Sequence, residues 1–264
     1  MLESVALPDN DCVEFLRWAL PHMGLRWEGF RKVRRQVCRR VSRRMAALGL
    51  AELHAYREYL AGHPEEWAEL ARLTPITISR FYRDPAVFAA LEREVLPALG
   101  DGLRIWSAGC ASGEEAYTLA LICPTATILA TDADPTMLRR ARAATYQRSS
   151  LRELPEPHRE RGFDERDGQY AVRPAVRRRV TVRRHDLTTD PPPGRFDLVL
   201  CRNVAFTYFD IERQRAVLDT VREALRPGGA LVVGLHERLP EPADGFEPWR
   251  GVRAVFRRKT SAEQ

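Results

Sequence analysis

The stretch Arg104-Ile105-Trp106-Ser107-Ala108-Gly109-Cys110-Ala111-Ser112-Gly113-Glu114-Glu115-Ala116-Tyr117 decides the fold. It begins as a short apolar strand, passes through small residues and glycines, and continues as a helix whose apolar residues recur at helical spacing. A strand, a glycine-bearing turn and a helix form the first half of a βαβ unit. Gly109 and Gly113 carry no Cβ, so the turn lets a ligand approach the backbone closely.

The turn favours a cationic ligand over a dinucleotide. The pattern G-x-G-x-x-G is absent. Glu114 and Glu115 suit the positive end of a helix dipole, but they would repel a pyrophosphate. A ligand with a cationic group and free hydroxyls fits better, and S-adenosylmethionine has both. On these residues alone, a purely structural turn of an α/β protein stays open as an alternative.

Apolar strands alternate with helices along the rest of the chain, which predicts an α/β fold with a doubly wound, mostly parallel sheet. Further strands are predicted at residues 126–131, 180–184, 196–201, 230–234 and 252–257. Gly109, Asp132, Asp186 and Asn203 stand at the carboxyl ends of successive strands, where such sheets bind ligands. Asp132 follows Gly109 by about twenty residues, the usual position of a ribose-binding carboxylate. Asp134 before Pro135 is a second candidate role at this strand end, a helix N-cap.

The chain is expected to have two domains. Residues 1–76 are predicted to form a small all-α domain and residues 77–264 the α/β domain, with a short inserted subdomain at about 147–178 that contains a hairpin at Asp167-Gly168. One N-terminal helix combines an apolar stripe with an arginine run from Arg31 to Arg44. The run is interpreted either as a solvated face or as a docking surface for an acidic partner. Aromatic residues are not interleaved with it, which disfavours nucleic acid.

Composition limits the class of protein further. The 264 residues carry a formal net charge of +6, which favours acidic partners. The five cysteines are odd in number and scattered, so they are expected to be reduced thiols of a cytosolic protein without a zinc site. No apolar run is long enough to span a membrane, so the protein is not expected to be membrane-embedded.

Several of these segments resemble the CheR family, the S-adenosylmethionine-dependent methyltransferases that esterify glutamates on bacterial chemoreceptors. The stretch 106–115 looks like the cofactor loop of that family, 130–134 resembles its ribose-binding segment, and 201–204 resembles its fourth-strand signature. The likeness covers almost the whole chain. It implies a Rossmann-like class I methyltransferase that converts S-adenosylmethionine to S-adenosylhomocysteine and methylates glutamate carboxylates.

The resemblance also implies site residues. Those that would contact the cofactor are Thr77, Ser79, Arg83, Gly109, Glu114, Asp132, Asp186, Leu187, Asn203 and Val204. Arg83 and Tyr208 would be catalytic residues at the reacting end. No metal is implied. An acidic helical bundle of a chemoreceptor or related signalling protein would dock on the Arg31–Arg44 helix, and the enzyme is expected to be a cytoplasmic monomer that binds no nucleic acid stably.

Some positions depart from the family pattern. One extra residue separates Asn203 from Tyr208, Thr77 stands where asparagine is common, and His236 lies in an altered Gly-Leu-His-Glu segment. The insert is also short for the subdomain with which some members bind a receptor tail, so docking without a tail is expected. A different acceptor, either a small molecule or another protein, is therefore an open alternative, as is a cofactor-binding sensor without turnover.

Overall fold

The computed structural model describes residues 9–260, and the chain divides into two compact units. The first unit holds the chain up to Ile78 and, from much further along, Thr207–Asp210. The second unit holds Ser79–Phe206 and the chain from Ile211 onward. A short segment that lies late in the sequence therefore belongs to the N-terminal unit.

The first unit is built from helices around one apolar core. They are α1 (Asp9–His22), α2 (Trp27–Phe30), α3 (Arg34–Ala47), α4 (Leu53–Gly62) and α5 (Pro64–Leu73). Phe15 and Val41 are fully buried on the inner faces of α1 and α3. Gly49 has a φ of +73°, and the Leu50 N–H donates to the Met45 carbonyl at 2.9 Å. The left-handed glycine and this hydrogen bond end α3.

The prediction of one continuous helix from Arg31 to Arg44 is wrong. Arg31–Val33 form a turn, and α3 begins at Arg34. The preceding helix, α2, lies against a distant part of the chain: a Cβ on Gly29 would clash with the Thr207 carbonyl. Local periodicity carries no information about such a contact, so the helix predicted from it was too long at its N-terminal end.

The expectation that every cysteine is a reduced thiol is also wrong. Cys12 on α1 and Cys38 on α3 form a disulfide, with their Cα atoms 6.0 Å apart. The 26 residues between them give no indication of pairing, because disulfide formation depends on Cα separation and on the direction of the Cβ atoms. The other cysteines (Cys110, Cys123 and Cys201) are buried free thiols.

The second unit is an α/β domain. Its strands are β1 (Arg104–Ala108), β2 (Thr127–Asp132), β3 (Thr145–Gln147), β4 (Phe163–Arg166), β5 (Gln169–Val172), β6 (Val180–Arg184), β7 (Phe196–Leu200), β8 (Leu225–Val232), β9 (Phe246–Pro248) and β10 (Val255–Arg258). Its helical segments are α6 (Pro85–Ala90), a π-helical turn (Leu91–Val95), α7 (Leu96–Leu99), α8 (Glu114–Ile122), α9 (Pro135–Ala143), a 3₁₀ turn (Arg148–Leu151), α10 (Glu156–Gly162), α11 (Pro174–Arg177), the first half of α12 (Ala205–Tyr208) and α13 (Ile211–Ala224).

The main sheet has seven strands in the order β6-β2-β1-β7-β8-β10-β9. The first five run parallel, and β10 and β9 are antiparallel to their neighbours. The predicted α/β fold, with a mostly parallel sheet and a small N-terminal all-α domain, is confirmed. The short strand β9 was not predicted, and β8 begins at Leu225 rather than at Ala230.

The insert carries its own antiparallel sheet in the order β3-β5-β4. The predicted hairpin is confirmed: Asp167 and Gly168 have φ values of +51° and +71°, as a two-residue hairpin turn requires. Strand β3 was missed, because its three residues pair with β5 through Tyr146 and Tyr170, far apart in the chain. The insert therefore holds more structure than the sequence indicated. Within residues 9–260, no helix is long and apolar enough to cross a membrane.

Candidate active site

Four predicted site positions lie at one edge of the main sheet. In the strand order β6-β2-β1-β7, Asp186 follows β6, Asp132 ends β2, Gly109 follows β1 and Asn203 follows β7. Backbone hydrogen bonds join these ends: the Gly109 N–H donates to the Thr131 carbonyl at 2.8 Å. Adjacent parallel strands thus present these residues together at their carboxyl ends, where open α/β sheets bind ligands.

The Asp132 carboxylate is held by backbone donors. One oxygen accepts the Ala111 N–H at 2.9 Å, and the other accepts the Asp134 N–H at 2.9 Å. Burial raises the pKa of Asp132, while these two donors oppose the rise. A carboxylate offers about four lone-pair sites, so acceptor capacity is left for two ligand hydroxyls. Asp134 has the second role predicted for this strand end, because its side chain caps α9 by accepting the Thr136 N–H at 2.7 Å.

Gly109 permits a close approach between two loops. Its φ is +79°, and a Cβ built on it would lie 2.7 Å from Cγ2 of Val204. Only glycine therefore fits here without moving the loop that follows β7. The structure thus places Gly109 and Val204, two of the predicted cofactor contacts, next to each other.

The two glutamates at the start of α8 have different surroundings. Glu114 is 2% exposed, and its carboxylate accepts the Ser112 hydroxyl at 2.9 Å. Glu115 accepts the Ser107 hydroxyl at 2.8 Å and pairs with Arg202 at 3.2 Å. Burial raises the pKa of Glu115, and the guanidinium of Arg202 counteracts the rise. Glu115 thus lies at the carboxyl end of β1, and its part in the site was not predicted.

Arg83 and Asn203 are brought together. A guanidinium nitrogen of Arg83 donates to Oδ1 of Asn203 at 3.2 Å. Asn203 has a φ of +58°, and its N–H donates to the Glu237 carboxylate at 2.8 Å. The same carboxylate oxygen accepts the Gly234 N–H at 2.5 Å. Glu237 therefore joins the segments that follow β7 and β8.

The remaining predicted residues differ in their placement. Ser79 is half-buried on the segment before α6, and Leu187 is 8% exposed after β6. Asp186 forms a local turn by accepting the Thr188 N–H at 2.9 Å. His236, the unusual residue after β8, is exposed.

Thr77 and Tyr208 belong to the other unit. Thr77 is exposed on the segment after α5. The ring of Tyr208 packs against Phe30 with their centroids 4.9 Å apart, and the Tyr208 carbonyl accepts the Arg26 N–H at 2.9 Å. Within the first unit, Tyr208 is thus packed at the edge of the apolar core.

The residues missed by sequence reasoning are Glu115, Arg202 and Glu237. Two of them adjoin predicted site residues: Glu115 follows Glu114, and Arg202 precedes Asn203. Glu237 follows His236, which departs from the family pattern. The sequence therefore identified the segments that contribute to the candidate site, but not every contributing side chain. Which side chain of each segment turns toward the sheet edge depends on tertiary packing, and no local signal reports it.

These surroundings fit S-adenosylmethionine. Asp132 has free acceptor capacity for ribose hydroxyls, and Gly109 lets the loop that follows β7 lie against the end of β1. The buried Glu114 and the half-buried Glu115 carry carboxylates that suit a ligand with an ammonium and a sulfonium group. A parallel sheet with this set of strand ends defines a Rossmann-like, S-adenosylmethionine-dependent methyltransferase.

Comparison with known families agrees with this class. Residues 77–255 match the CheR methyltransferase S-adenosylmethionine-binding domain, and residues 32–73 match the CheR methyltransferase all-alpha domain. The chain belongs to the CheR methyltransferase family. Its cofactor is S-adenosylmethionine.

Several proteins are similar over much of the chain. A chemotaxis protein methyltransferase of Listeria monocytogenes is 40% identical over 186 residues, which cover 67% of this chain and 71% of that protein. An uncharacterised 104.1 kDa protein of Rhodobacter capsulatus is 39% identical over 226 residues, 80% of this chain, but the chain spans only 24% of its length. Among solved structures, an amino pentose methyltransferase from Micromonospora echinaspora is 20% identical with a TM-score of 0.38, covering 65% of this chain and 55% of that one.

Proposed function

We propose that this chain transfers a methyl group to glutamate side-chain carboxylates of a chemoreceptor-like signalling protein. The observation that supports this most directly is the Arg83–Asn203 pair at the carboxyl end of β7. A guanidinium at the cofactor-binding edge suits a carboxylate acceptor, because its planar fork binds both carboxylate oxygens. The family membership and the name of the Listeria relative support the same reaction.

The chemistry needs few catalytic groups. When bound, S-adenosylmethionine supplies an activated methyl group on a sulfonium centre. A glutamate acceptor has an ordinary pKa of about 4.3, so it is already ionised at neutral pH and no general base is required. We assign Arg83 the role of orienting the acceptor carboxylate, and Asn203 the role of holding the Arg83 guanidinium. Tyr208 stays a proposed catalytic residue beside the acceptor. Positioning and exclusion of water account for the rate in this scheme.

Each cofactor-binding residue has a proposed part. Asp132 accepts the ribose hydroxyls, while Asp186 and Leu187 flank the adenine. Gly109 and Val204 line the loops that cover the ligand, and Glu114 holds its amino-acid part. Thr77 and Ser79 are proposed to reach the ligand from the segment before α6.

The arginines of α3 divide into two groups, which sharpens the proposed docking surface. Arg34 pairs with Asp9 at 3.0 Å, Arg40 donates to the Leu73 carbonyl at 3.0 Å, and Arg44 pairs with Glu66 at 2.5 Å. These three side chains have partners inside the unit. The exposed arginines at four-residue intervals form the docking stripe, defined as Arg35, Arg39 and Arg43.

The docking stripe is proposed to bind an acidic helical bundle. Arg35, Arg39 and Arg43 lie on one helix face because residues four apart are neighbours. Three exposed charges with a common direction suit a partner helix that carries carboxylates. An exposed ion pair contributes about 0.2–1 kcal/mol, so the stripe is expected to add selectivity and on-rate more than raw affinity.

A labelling experiment tests the reaction. The purified protein is incubated with methyl-labelled S-adenosylmethionine and membranes of its own organism, and the products are treated with mild alkali. Glutamate methyl esters release volatile methanol in base, whereas methylated amines do not. Methanol from a membrane protein, lost in Asp132→Asn, is the expected result. Alkali-stable label would move the acceptor to another group, and cofactor binding without any label would favour a sensor.

A charge-matched pair of variants tests the docking stripe. The triple variant R35Q/R39Q/R43Q is expected to raise the KM for membranes by about tenfold, with S-adenosylhomocysteine binding unchanged. The control removes the same charge from exposed arginines of the second unit (R139Q/R178Q/R183Q). Equal effects of the two triples would mean that only net charge matters, which contradicts a docking stripe.

We further propose that residues 1–76 act as the docking domain and 77–264 as the methyltransferase domain. We also propose that the protein works as a monomer in the cytoplasm. Light scattering on the purified chain checks the monomer, and cell fractionation checks the compartment.

A further inference from the structure

Arg202 is a buried arginine with three partners. Its side chain is 2% exposed. One terminal nitrogen donates to the Asp84 carboxylate at 2.7 Å and to the Arg83 carbonyl at 2.9 Å, and the other donates to Glu115 at 3.2 Å. The guanidinium carbon lies 5.0 Å from the ring centroid of Phe88. A buried guanidinium is costly unless it is paired. Both terminal nitrogens of Arg202 have acceptors, whereas its Nε is buried without a hydrogen-bond partner among the described residues.

The backbone segment to which Arg202 hydrogen-bonds has an unusual conformation. Tyr82 and Asp84 have φ values of +56° and +64°, although neither is glycine. Left-handed backbone at such residues persists only where surrounding contacts enforce it. The Tyr82 N–H donates to the Thr118 hydroxyl at 3.0 Å, which fixes one side of Arg83. Arg202 fixes the other side through the Arg83 carbonyl and the Asp84 carboxylate.

Glu115 completes the group from the cofactor-binding side. It accepts the Ser107 hydroxyl at 2.8 Å at the end of β1, and it pairs with Arg202 at 3.2 Å. Arg202 therefore links three segments: the turn around Arg83, the start of α8 and the end of β7. These are the segments whose alignment decides where the Arg83 guanidinium lies.

We infer that Arg202 is a positioning residue that sets the place of Arg83 at the reacting end of the site. It acts through the Arg83 carbonyl and Asp84 and need not touch cofactor or acceptor. The inference rests on the proposed function, since it assumes that Arg83 orients the acceptor. Lysine is a poor substitute, because its single ammonium lacks the planar fork that reaches Asp84, Glu115 and a carbonyl at once.

The test compares R202K with a matched control. R226K alters another arginine–carboxylate pair of the same domain, Arg226 with Asp197 at 2.6 Å. In the alkali-labile methylation assay, R202K is expected to lower kcat by about 100-fold while the KM for S-adenosylmethionine stays within about twofold. R226K is expected to leave both values near those of the wild type. If R202K folds poorly, Asp84→Asn provides the second variant, with a smaller loss of kcat in the same direction.

A second measurement does not depend on activity. Hydrogen exchange of the peptide around Tyr82–Asp84 is expected to be about tenfold faster in R202K than in the wild type, and unchanged in R226K. If R202K kept both the kcat and the exchange rate of the wild type, the inference would be overturned. So would a loss of kcat that tracks cofactor affinity and exchange across the whole domain, since that marks a purely structural role. Failure of the proposed function is distinguishable, because the wild type itself would then release no methanol.

Discussion

Glu66 in the first unit provides a stability test of how the arginines of α3 are divided. Its carboxylate is 2% exposed and accepts Nε of Arg44 at 2.9 Å, a terminal nitrogen of Arg44 at 2.5 Å and the Tyr56 hydroxyl at 2.7 Å. Removing one partner of a buried pair costs about 3–5 kcal/mol. Arg44 is 31% exposed and regains some hydration, so we expect Glu66→Gln to lower the free energy of unfolding by about 3 kcal/mol.

The effect should depend on pH. The hydrogen bonds from Arg44 lower the pKa of Glu66, and the Tyr56 hydroxyl adds to this. A carboxyl whose folded pKa lies below its unfolded value of about 4.3 stabilises the fold above that pH and loses the contribution as pH falls through the folded pKa. The difference between wild type and Glu66→Gln should therefore be full at pH 7 and shrink in acid. Burial raises the pKa of Tyr56, so its hydroxyl stays a donor throughout.

Hydrogen exchange in increasing urea measures this, since peptides from α3 and α5 report the first unit alone. The control is Glu69→Gln, whose ion pair with Arg72 is exposed and should contribute below about 0.5 kcal/mol. If Glu66→Gln matched this control, or if its effect grew as pH fell, the assignment of Arg44 to the core of the unit would be refuted.

Two further predictions concern the cofactor loops and the cysteines. Gly109→Ala should weaken S-adenosylhomocysteine binding, measured by calorimetry, by more than tenfold. The left-handed backbone conformation costs alanine about 1–2 kcal/mol, and the new Cβ would meet Val204. Val204→Ala in that background should restore part of the affinity, and no recovery would mean that the clash is not the cause. Thiol titration of the unfolded chain should find three thiols before reduction and five after, since Cys12 and Cys38 are paired. Five thiols found without reductant would contradict the disulfide.

The strand ends could be predicted because their signals are local. Apolar runs followed by Gly109, Asp132 and Asn203 identify where each strand stops, and parallel strands stop at a shared edge. The alternation of strands and helices then fixes the order of layers. This is why the fold and the location of the site were both accessible from the sequence.

The interior of the site was not accessible in the same way. Glu115, Arg202 and Glu237 act through contacts between residues far apart in the chain, such as Arg202 with Asp84. Glu114 and Glu115 are equivalent in the sequence pattern, and only packing shows that Glu115 faces Arg202. Charge and spacing identify candidate segments, whereas tertiary packing selects the side chain.

The same limit explains the errors in the N-terminal unit. Periodicity predicted a helix across Arg31–Val33, which form a turn, because the apolar stripe continues on both sides of these residues. The disulfide joins two helices whose relative position no local pattern reports. The association of Thr207–Asp210 with this unit was equally hidden, since the segment follows a strand of the other unit.

That late segment has a consequence for how the chain is made and recombined. Leu25 forms a bridge with Phe209, the Asp210 N–H donates to the Gly24 carbonyl at 3.0 Å, and Tyr208 covers Phe30. During synthesis from the N-terminus, α1 and α2 must wait for most of the methyltransferase sequence before these contacts can form. Exchanging the N-terminal region between relatives would likewise separate it from part of its own core, so a functional chimera has to carry residues 207–210 along with it.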